Sequence, residues 1–216
     1  SGNNNLEGND NIIENEEQYD KLIDLAKTYF KKNTEYSFNC AYKTHLIAEE
    51  QEDHKKNAEC NMIMGDIFKE NNSYPTAITY YKDAITNLNK IKDYHTIYKL
   101  YIKIAELYQN GEFDSKWCIE AMDNALEYAN LINKTEVYND LFLSYGKIYL
   151  LQKEYDLAEN YYNKVLKNSV NRETIKDIST ALTNKATIYI QKKEYEKALN
   201  IIDSSLYLCI RDFNDS

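Results

Sequence analysis

Apolar residues recur along the chain at spacings of three and four, the period that places side chains on one face of an α-helix. A small residue followed three positions later by an aromatic residue marks the start of each recurrence. The small residues are Ala26, Gly65, Ala105, Gly146 and Ala186, so the units repeat every 39 to 41 residues. Because one such unit cannot bury its apolar face alone, the pattern predicts about five stacked helix pairs.

Each of the last four units breaks between its two halves at a short polar stretch. The breaks are residues 71–75, 109–111, 152–155 and 191–195. A compact residue follows, mostly alanine, and a large residue comes four positions after it: Tyr81, Met122, Tyr162 and Ile202. We predict that the small residue and the alanine let two backbones approach closely, while the aromatic and large residues fill the space between neighbouring pairs. The first unit is weaker, since its second half is out of register.

Composition favours helices throughout. The 216 residues include five Gly and one Pro, where average usage would supply about 15 Gly and about 11 Pro. Sandwiches, barrels and doubly wound α/β folds need those residues at their turns, so the expected fold class is all-α. We predict one repeat domain over residues 16–212, with residues 1–15 as a disordered leader or a remnant of cloning and residues 213–216 as a tail.

The charge balance excludes several partners. Lys and Arg number 26 against 35 Asp and Glu, a net charge of -9, and only Arg172 and Arg211 are arginines. Nucleic-acid affinity comes mainly from neutralised phosphates, so direct nucleic-acid binding is not expected. The chain has neither an apolar run long enough to span a bilayer nor a signal-peptide pattern, which predicts a cytoplasmic protein without membrane contact. It does not begin with Met, which leaves an upstream domain open.

Residues suited to catalysis or metal binding are scattered. The cysteines form no CxxC pair, and we expect them to be buried and reduced: Cys40, Cys60, Cys118 and Cys209. The histidines occupy unrelated places in the repeat, where we expect them to cap or decorate helices: His45, His54 and His95. No serine lies in a G-x-S-x-G elbow. The sequence therefore predicts no enzyme activity, no cofactor and no metal.

The skeleton of small, aromatic, alanine and large residues resembles the tetratricopeptide repeat family. The units at Gly65, Gly146 and Ala186 carry the resemblance, which covers most of residues 17–211. Each unit has about six residues more than the 34-residue form, and the early Trp is replaced by Asn61, Tyr101, Phe142 and Leu182. Repeats of this length are similar to those of kinesin light chains, spindle adaptors and peptide-pheromone sensors of Gram-positive bacteria. The resemblance implies a right-handed superhelix whose concave face binds a peptide or protein segment.

The first helix of each pair supplies the predicted groove. Positions six and three before the small residue, and one and four after it, share the face away from the partner helix. Lys103 and Asn184, each two positions before the small residue, are added to this face. The predicted binding residues are Met62, Asp66, Lys69, Lys99, Ile102, Lys103, Glu106, Leu143, Lys147, Leu150, Thr183, Asn184 and Thr187. Apolar residues among polar ones suit an extended peptide. The alternative is a solvated face whose apolar members contact a neighbouring chain or the wall of the superhelix.

Two signatures of the family narrow the ligand. Chaperone-binding relatives grip a C-terminal carboxylate with Lys and Asn at groove positions that here hold mainly apolar and acidic residues, such as Met62, Ile102 and Glu106. A chaperone co-factor role is therefore not expected. The pheromone sensors and spindle adaptors hold the peptide backbone with Asn two positions before the small residue, and only Asn184 matches. The resemblance gives that role to Asn184.

Two functions remain open. The first is the ligand-sensing domain of a peptide-responsive regulator, and the second is a general scaffold or adaptor without a small peptide ligand. A homodimer through an end of the solenoid is a further expectation, because the last pair ends in the apolar residues 206–210 with no polar capping helix after them.

Overall fold

The computed structural model describes residues 4–168 and 175–214, and within them the chain forms ten α-helices and no strand. The helices are α1 (Asn4–Tyr29), α2 (Thr34–Glu50), α3 (His54–Glu70), α4 (Tyr74–Lys90), α5 (Tyr94–Asn110), α6 (Ser115–Ile132), α7 (Thr135–Leu151), α8 (Tyr155–Asn168), α9 (Ile175–Gln191) and α10 (Tyr195–Asn214). The predicted all-α class is confirmed. Each odd-numbered helix packs with the helix that follows it, as the repeat pattern predicts.

The turns inside the helix pairs lie where the sequence breaks predict them. Helix α3 ends at Glu70 and α4 begins at Tyr74, with Pro75 in its first turn. Helices α7 and α8 are separated by residues 152–154, and α9 and α10 by residues 192–194. The weak first unit also forms a pair, α1 and α2, joined through residues 30–33. The polar stretches therefore end helices even where they contain no glycine.

The turns between helices need few glycines because other residues adopt the left-handed backbone conformation there. Among the described residues between helices, seven have φ between 52° and 62°: Glu52, Asn72, Lys92, Glu112, Asn133, Lys153 and Lys193. Each L-residue in this conformation costs about 1–2 kcal/mol. Backbone hydrogen bonds that close the helix end offset the cost, as where Glu194 N–H donates to the Tyr189 carbonyl at 2.8 Å. No described glycine has a positive φ, so Gly111 lies beside a turn without supplying its left-handed residue.

Two glycines make room for tyrosine rings inside their own helix pairs. A Cβ built on Gly146 would lie 2.4 Å from Cε1 of Tyr162, and one built on Gly65 would lie 2.5 Å from Cε1 of Tyr81. Both tyrosines are completely buried. The sequence predicts that the large residue fills space between neighbouring pairs, whereas here its ring also lies directly against the small residue of its own pair.

The chain divides into two compact units. The N-terminal unit comprises residues 1–100 and 110–113, and the C-terminal unit comprises residues 101–109 and 114–216, so the division passes through α5. The sequence predicts a single repeat domain over residues 16–212. Each repeat contacts mainly its neighbours, so a solenoid can divide within a repeat without losing a central core. The N-terminal core includes Tyr19, Cys60 and Met64, and the C-terminal core includes Tyr162 and Ile188.

The helices extend beyond both predicted domain boundaries. Helix α1 begins at Asn4, inside the segment predicted as a leader, and α10 continues to Asn214, inside the predicted tail. Residues 4–15 contain no proline, which would interrupt a helix. Residues 1–3 and 215–216 lie outside the described part of the chain.

Candidate binding surface of the first helices

Nine of the thirteen predicted binding residues belong to the C-terminal unit. They lie on three first helices, the C-terminal half of α5 together with α7 and α9. We call this set the C-terminal surface: Ile102, Lys103, Glu106, Leu143, Lys147, Leu150, Thr183, Asn184 and Thr187. The remaining four, Met62, Asp66, Lys69 and Lys99, belong to the N-terminal unit.

Polar pairs connect α5 to α7. The ammonium of Lys147 lies 2.9 Å from Oε1 of Glu106, and the amide of Gln152 donates to Oε1 of Gln109 at 3.0 Å. Lys147 and Glu106, which the repeat pattern assigned to the surface independently of each other, therefore contact each other. Lys147 is exposed and Glu106 is only half-buried, so the pair contributes less than about 1 kcal/mol and mainly orients the two side chains.

Apolar and buried polar contacts connect α7 to α9. Leu143 and Leu150 are half-buried and pack against the cluster that contains Ala181 and Ile188 of α9. The completely buried amide of Asn139 donates to Oδ2 of Asp177 at 3.2 Å. Half-buried leucines on a fixed pair of helices present apolar surface without moving, which is the property a peptide-binding surface needs.

The side chains of α9 differ in how far they are already engaged. The hydroxyls of Thr183 and Thr187 donate to backbone carbonyls four residues earlier, at 2.9 and 3.1 Å. Asn184 is half-buried, and its side chain makes no hydrogen bond with any residue that the structure describes. A half-buried amide with a free donor and a free acceptor is suited to a peptide group, which needs one of each.

The polar residues next to Asn184 face α8 instead. Lys185 donates to Oδ1 of Asn163 at 2.7 Å and lies 3.4 Å from Oε1 of Glu159. The Tyr189 hydroxyl donates to the same Glu159 carboxylate at 2.7 Å, and this hydrogen bond raises the pKa of Tyr189 to about 12. These residues hold α9 against α8, whereas the Asn184 amide has no partner among the residues that the structure describes.

Ile102 does not contribute to the surface as predicted. Its side chain is only 9% exposed, so it offers a ligand almost no area. The positional rule took no account of how closely neighbouring helices cover α5. Lys103 and Glu106, on the same helix, are half-buried and remain accessible.

In the N-terminal unit, the predicted residues are partly engaged with one another. The ammonium of Lys69 lies 4.0 Å from Oδ1 of Asp66, and the same carboxylate accepts a hydrogen bond from the hydroxyl of Tyr81. Burial, and then this hydrogen bond, raise the pKa of Tyr81. Met62 is half-buried and Lys99 is exposed. Asp66 therefore has a structural partner in its own helix pair.

The described residues show no cluster of side chains suited to a metal ion. No group of three His, Cys, Asp or Glu side chains in these ranges could hold a metal ion. Three cysteines, Cys40, Cys60 and Cys118, are buried and unpaired as predicted, and burial raises the pKa of Cys118 to about 11. The side chain of Cys209 lies outside the described part. Across residues 4–168 and 175–214, every helix is too short or too polar to cross a bilayer.

The structure also contains a cavity that sequence reasoning missed. It has a volume of about 890 Å³ and lies between α2, α3 and α4 in the N-terminal unit. Asn57 and Asn61 line it, although both side chains are buried. The signal was present in the repeat alignment, because Asn61 stands where the other units carry Tyr101, Phe142 and Leu182.

Comparison with known proteins identifies the repeat. The sequence model of the tetratricopeptide repeat family matches residues 140–169 and 179–209, which are the α7–α8 and α9–α10 pairs. These two helix pairs are tetratricopeptide repeats. A TPR repeat-containing protein of Methanocaldococcus jannaschii is 32% identical over 164 residues. The match covers 70% of this chain but only 26% of that protein, so the chain spans about a quarter of its curated relative.

Solved tetratricopeptide-like structures share the fold. BtubC (BKLC) from P. vanneervenii superposes with a TM-score of 0.70 at 14% identity, over 89% of this chain and 80% of that one. A kinesin light chain from Podosopora anserina gives 0.67 at 10% identity, over 90% and 95%. A Rap protein in complex with Competence and Sporulation Factor gives 0.57 at 17% identity, over 94% and 66%. The resemblance to kinesin light chains and to peptide-binding Gram-positive sensors is confirmed at the level of the fold.

Proposed function

We propose that the C-terminal surface binds an extended peptide or an extended segment of a partner protein, and that the chain is the ligand-sensing part of a peptide-responsive regulator. The observation that carries the proposal is the Asn184 amide, half-buried and without a partner among the described residues. The Rap protein of the same fold, complexed with Competence and Sporulation Factor, supports a peptide ligand. The protein acts by binding and needs no catalytic group or cofactor.

The surface offers the two kinds of contact that an extended peptide uses. Leu143 and Leu150 present apolar area for alternate side chains, while Asn184 can donate to one backbone carbonyl and accept from one backbone N–H. Thr183 and Thr187 keep acceptor lone pairs, since their hydrogens point to helix carbonyls. Main-chain contacts then supply affinity, and the leucine positions supply specificity.

The charges of the surface favour no strongly charged ligand. Lys147 and Glu106 neutralise each other at 2.9 Å. Lys103 remains half-buried at the α5 edge of the surface. A peptide with apolar side chains and modest charge therefore fits better than a polyanion, in keeping with the overall charge of -9. The same acidity supports the proposal that the protein acts in the cytoplasm and binds neither nucleic acid nor membranes.

Replacing Asn184 with alanine should weaken peptide binding without unfolding the protein. The probe is the tightest-binding heptapeptide selected from a random synthetic library, titrated by calorimetry. Loss of one peptide-bonding amide in a half-buried site costs about 1–2 kcal/mol, a weakening of about tenfold. Asn160→Ala, at an exposed position of α8, is the matched control and should bind as the parent does. Equal affinity of the parent and the Asn184→Ala variant would refute the role of this residue.

The scaffold function predicts a different result in the same selection. A scaffold or adaptor without a small peptide ligand would yield no heptapeptide that binds the parent protein saturably. Selected peptides that compete with one another for a single site would favour the sensor. The curated relative is about four times longer than the matched region, so the partners of the full protein remain proposals.

The homodimer predicted from the sequence would use the outer face of α10. Exposed apolar side chains recur there at spacings of three and four, a stripe that a second copy could cover symmetrically: Tyr195, Leu199, Ile202, Leu206 and Ile210. We expect light scattering to give twice the chain mass, and Leu206→Glu to give the monomer mass. Leu157→Glu, at an exposed position of α8, should leave the dimer intact. A parent protein that stays monomeric at high concentration would refute this interface.

A further inference from the structure

The cavity of the N-terminal unit shares no lining residue with the C-terminal surface. Its volume of about 890 Å³ lies within the range of about 300–1,000 Å³ typical of small-molecule sites. Residues from α2, α3 and α4 line it, and none of the thirteen predicted binding residues is among them. It therefore needs an explanation of its own.

The cavity exists because small or polar residues replace aromatic ones. Gly65 and Gly146 are 81 positions apart, so Asn57, Asn61 and Met64 correspond to Tyr138, Phe142 and Tyr145. In the C-terminal unit those aromatic rings stack on one another and on Tyr161, with ring centroids 4.6 Å apart for Tyr145 and Tyr161 and 6.0 Å apart for Phe142 and Tyr161. The equivalent space between α2, α3 and α4 is left open.

The asparagines that line the cavity are buried and hydrogen-bonded to one another. Asn57 and Asn61 are 8% and 3% exposed. The Asn61 amide donates to Oδ1 of Asn57 at 2.7 Å, and Nδ1 of His54 lies 3.1 Å from Oδ1 of Asn87. The carbonyl oxygen of Asn61 accepts no hydrogen bond from the part of the chain that the structure describes. Because Asn61 lines the cavity, this oxygen can accept a hydrogen bond from a ligand that donates.

The rim of the cavity is acidic and its wall is aromatic. Three carboxylates line it, from Glu49, Glu52 and Asp83, against the ammonium of Lys90. The imidazoles of His45 and His54 line it as well, and Nε2 of His45 lies 3.5 Å from Oε1 of Glu49. Tyr42 and Tyr80 also line it. Burial, and then the charge of Asp83, raise the pKa of Tyr80, which keeps its ring neutral. Acceptors and aromatic faces together are the groups that attract an organic cation.

In the C-terminal unit, a lysine of the chain itself occupies the position equivalent to Asp83. Lys164 corresponds to Asp83, and its ammonium lies 4.3 Å from the ring centroid of Tyr161, the counterpart of Tyr80. In α4 the lysine is replaced by an aspartate, which forms no ion pair among the described residues. The aromatic position is kept, the internal cation is lost and a carboxylate takes its place.

We propose that this cavity binds an organic cation with several N–H donors, a guanidinium or alkylammonium group, either free or at the end of an arginine or lysine side chain. The cation lies against Tyr80, its charge is balanced by Asp83 and Glu49, and its N–H groups donate to these carboxylates and to the Asn61 carbonyl. The site is independent of the proposed peptide surface and can be tested without knowing the peptide.

Calorimetric titration with two probes tests the site. Agmatine represents the free cation and N-acetyl-arginine amide represents the side chain. We expect at least one of them to bind saturably with one site per chain. Tight binding of agmatine alone identifies a free amine as the ligand, and tight binding of the blocked arginine identifies a partner side chain. N-acetyl-citrulline amide, which lacks the charge, should bind about tenfold or more weakly than the arginine probe. Failure of both cationic probes to saturate at millimolar concentration would overturn the proposal.

Two substitutions copy the C-terminal unit and should remove binding. Asp83→Lys supplies the cation that Lys164 supplies in α8, and Asn61→Phe supplies the ring of Phe142. Each should weaken the cationic probe at least about tenfold. Glu120→Lys makes the same charge change as Asp83→Lys at an exposed position of α6 and should bind as the parent does. Asp83 is exposed, so its variant stays folded even if Asn61→Phe does not. Unchanged affinity of Asp83→Lys would contradict the site.

Discussion

Replacing Gly146 with alanine is expected to lower the free energy of unfolding by about 2 kcal/mol. The new Cβ would lie 2.4 Å from Cε1 of Tyr162, a completely buried ring that cannot move aside without displacing its neighbours. Overpacking of this kind costs about 1–3 kcal/mol, occasionally more, and it outweighs the gain of about 1 kcal/mol from replacing glycine in a helix. Chemical denaturation followed by circular dichroism measures the difference.

A second substitution, at Tyr162, should abolish or reverse the destabilising effect of Gly146→Ala. The third unit pairs Ala105 with Met122, and the fifth pairs Ala186 with Ile202, at the positions of Gly146 and Tyr162. In a Tyr162→Met background, where the ring is absent, Gly146→Ala should therefore be neutral or stabilise by up to about 1 kcal/mol. The same loss in both backgrounds would show that the glycine is needed for another reason than the tyrosine ring.

Removing the hydroxyl of Tyr162 should stabilise the protein by about 1 kcal/mol. This hydroxyl is buried and has no hydrogen-bond partner in the described part of the chain. Tyr81, its counterpart, donates to Asp66, and the residue corresponding to Asp66 is Lys147, whose ammonium is directed to Glu106. An unsatisfied buried hydroxyl costs about 1–3 kcal/mol, so Tyr162→Phe removes a penalty and leaves the ring in place.

The matched substitution Tyr81→Phe should have the opposite effect. It deletes a hydrogen bond to a carboxylate that is not fully exposed, and we expect a loss of about 1 kcal/mol in the free energy of unfolding. The two variants remove the same atom from corresponding positions, so denaturation curves measured side by side cancel errors of the method. Destabilisation of both proteins by equal amounts would mean that the Tyr162 hydroxyl has a partner in solution.

The helix pairs could be predicted from sequence because their signal is periodic. Gly65, Gly146 and Ala186 fix the register, and the polar breaks at residues 152–155 and 191–195 end helices where the structure ends them. The left-handed residues could not be predicted in the same way. Lys153 and Lys193 adopt φ values of 61° and 62°, which favour glycine, because the backbone hydrogen bonds of the helix ends impose them.

The candidate site was predictable only in part. Repeat position assigned Glu106 and Lys147 to one predicted surface, and in the structure their side chains form an ion pair. It failed for Ile102, because burial depends on the helices that cover a residue and not only on its position in its own repeat. The cavity beside Asn61 needed the structure as well, since one replaced aromatic residue opens space only when its neighbours, Asn57 and Met64, are also smaller.

Methyl NMR spectra of the protein with a selected heptapeptide test the proposed function most directly. Leu143, Leu150 and Ile190 report on the first helices, and Leu157 and Leu199, both exposed on second helices, are matched reporters on the other side of each pair. We predict that saturating peptide shifts the methyl resonances of Leu143, Leu150 and Ile190 and leaves those of Leu157 and Leu199 unchanged. Shifts confined to Leu157 and Leu199, or no peptide that shifts any of them, would contradict a peptide site on the first helices.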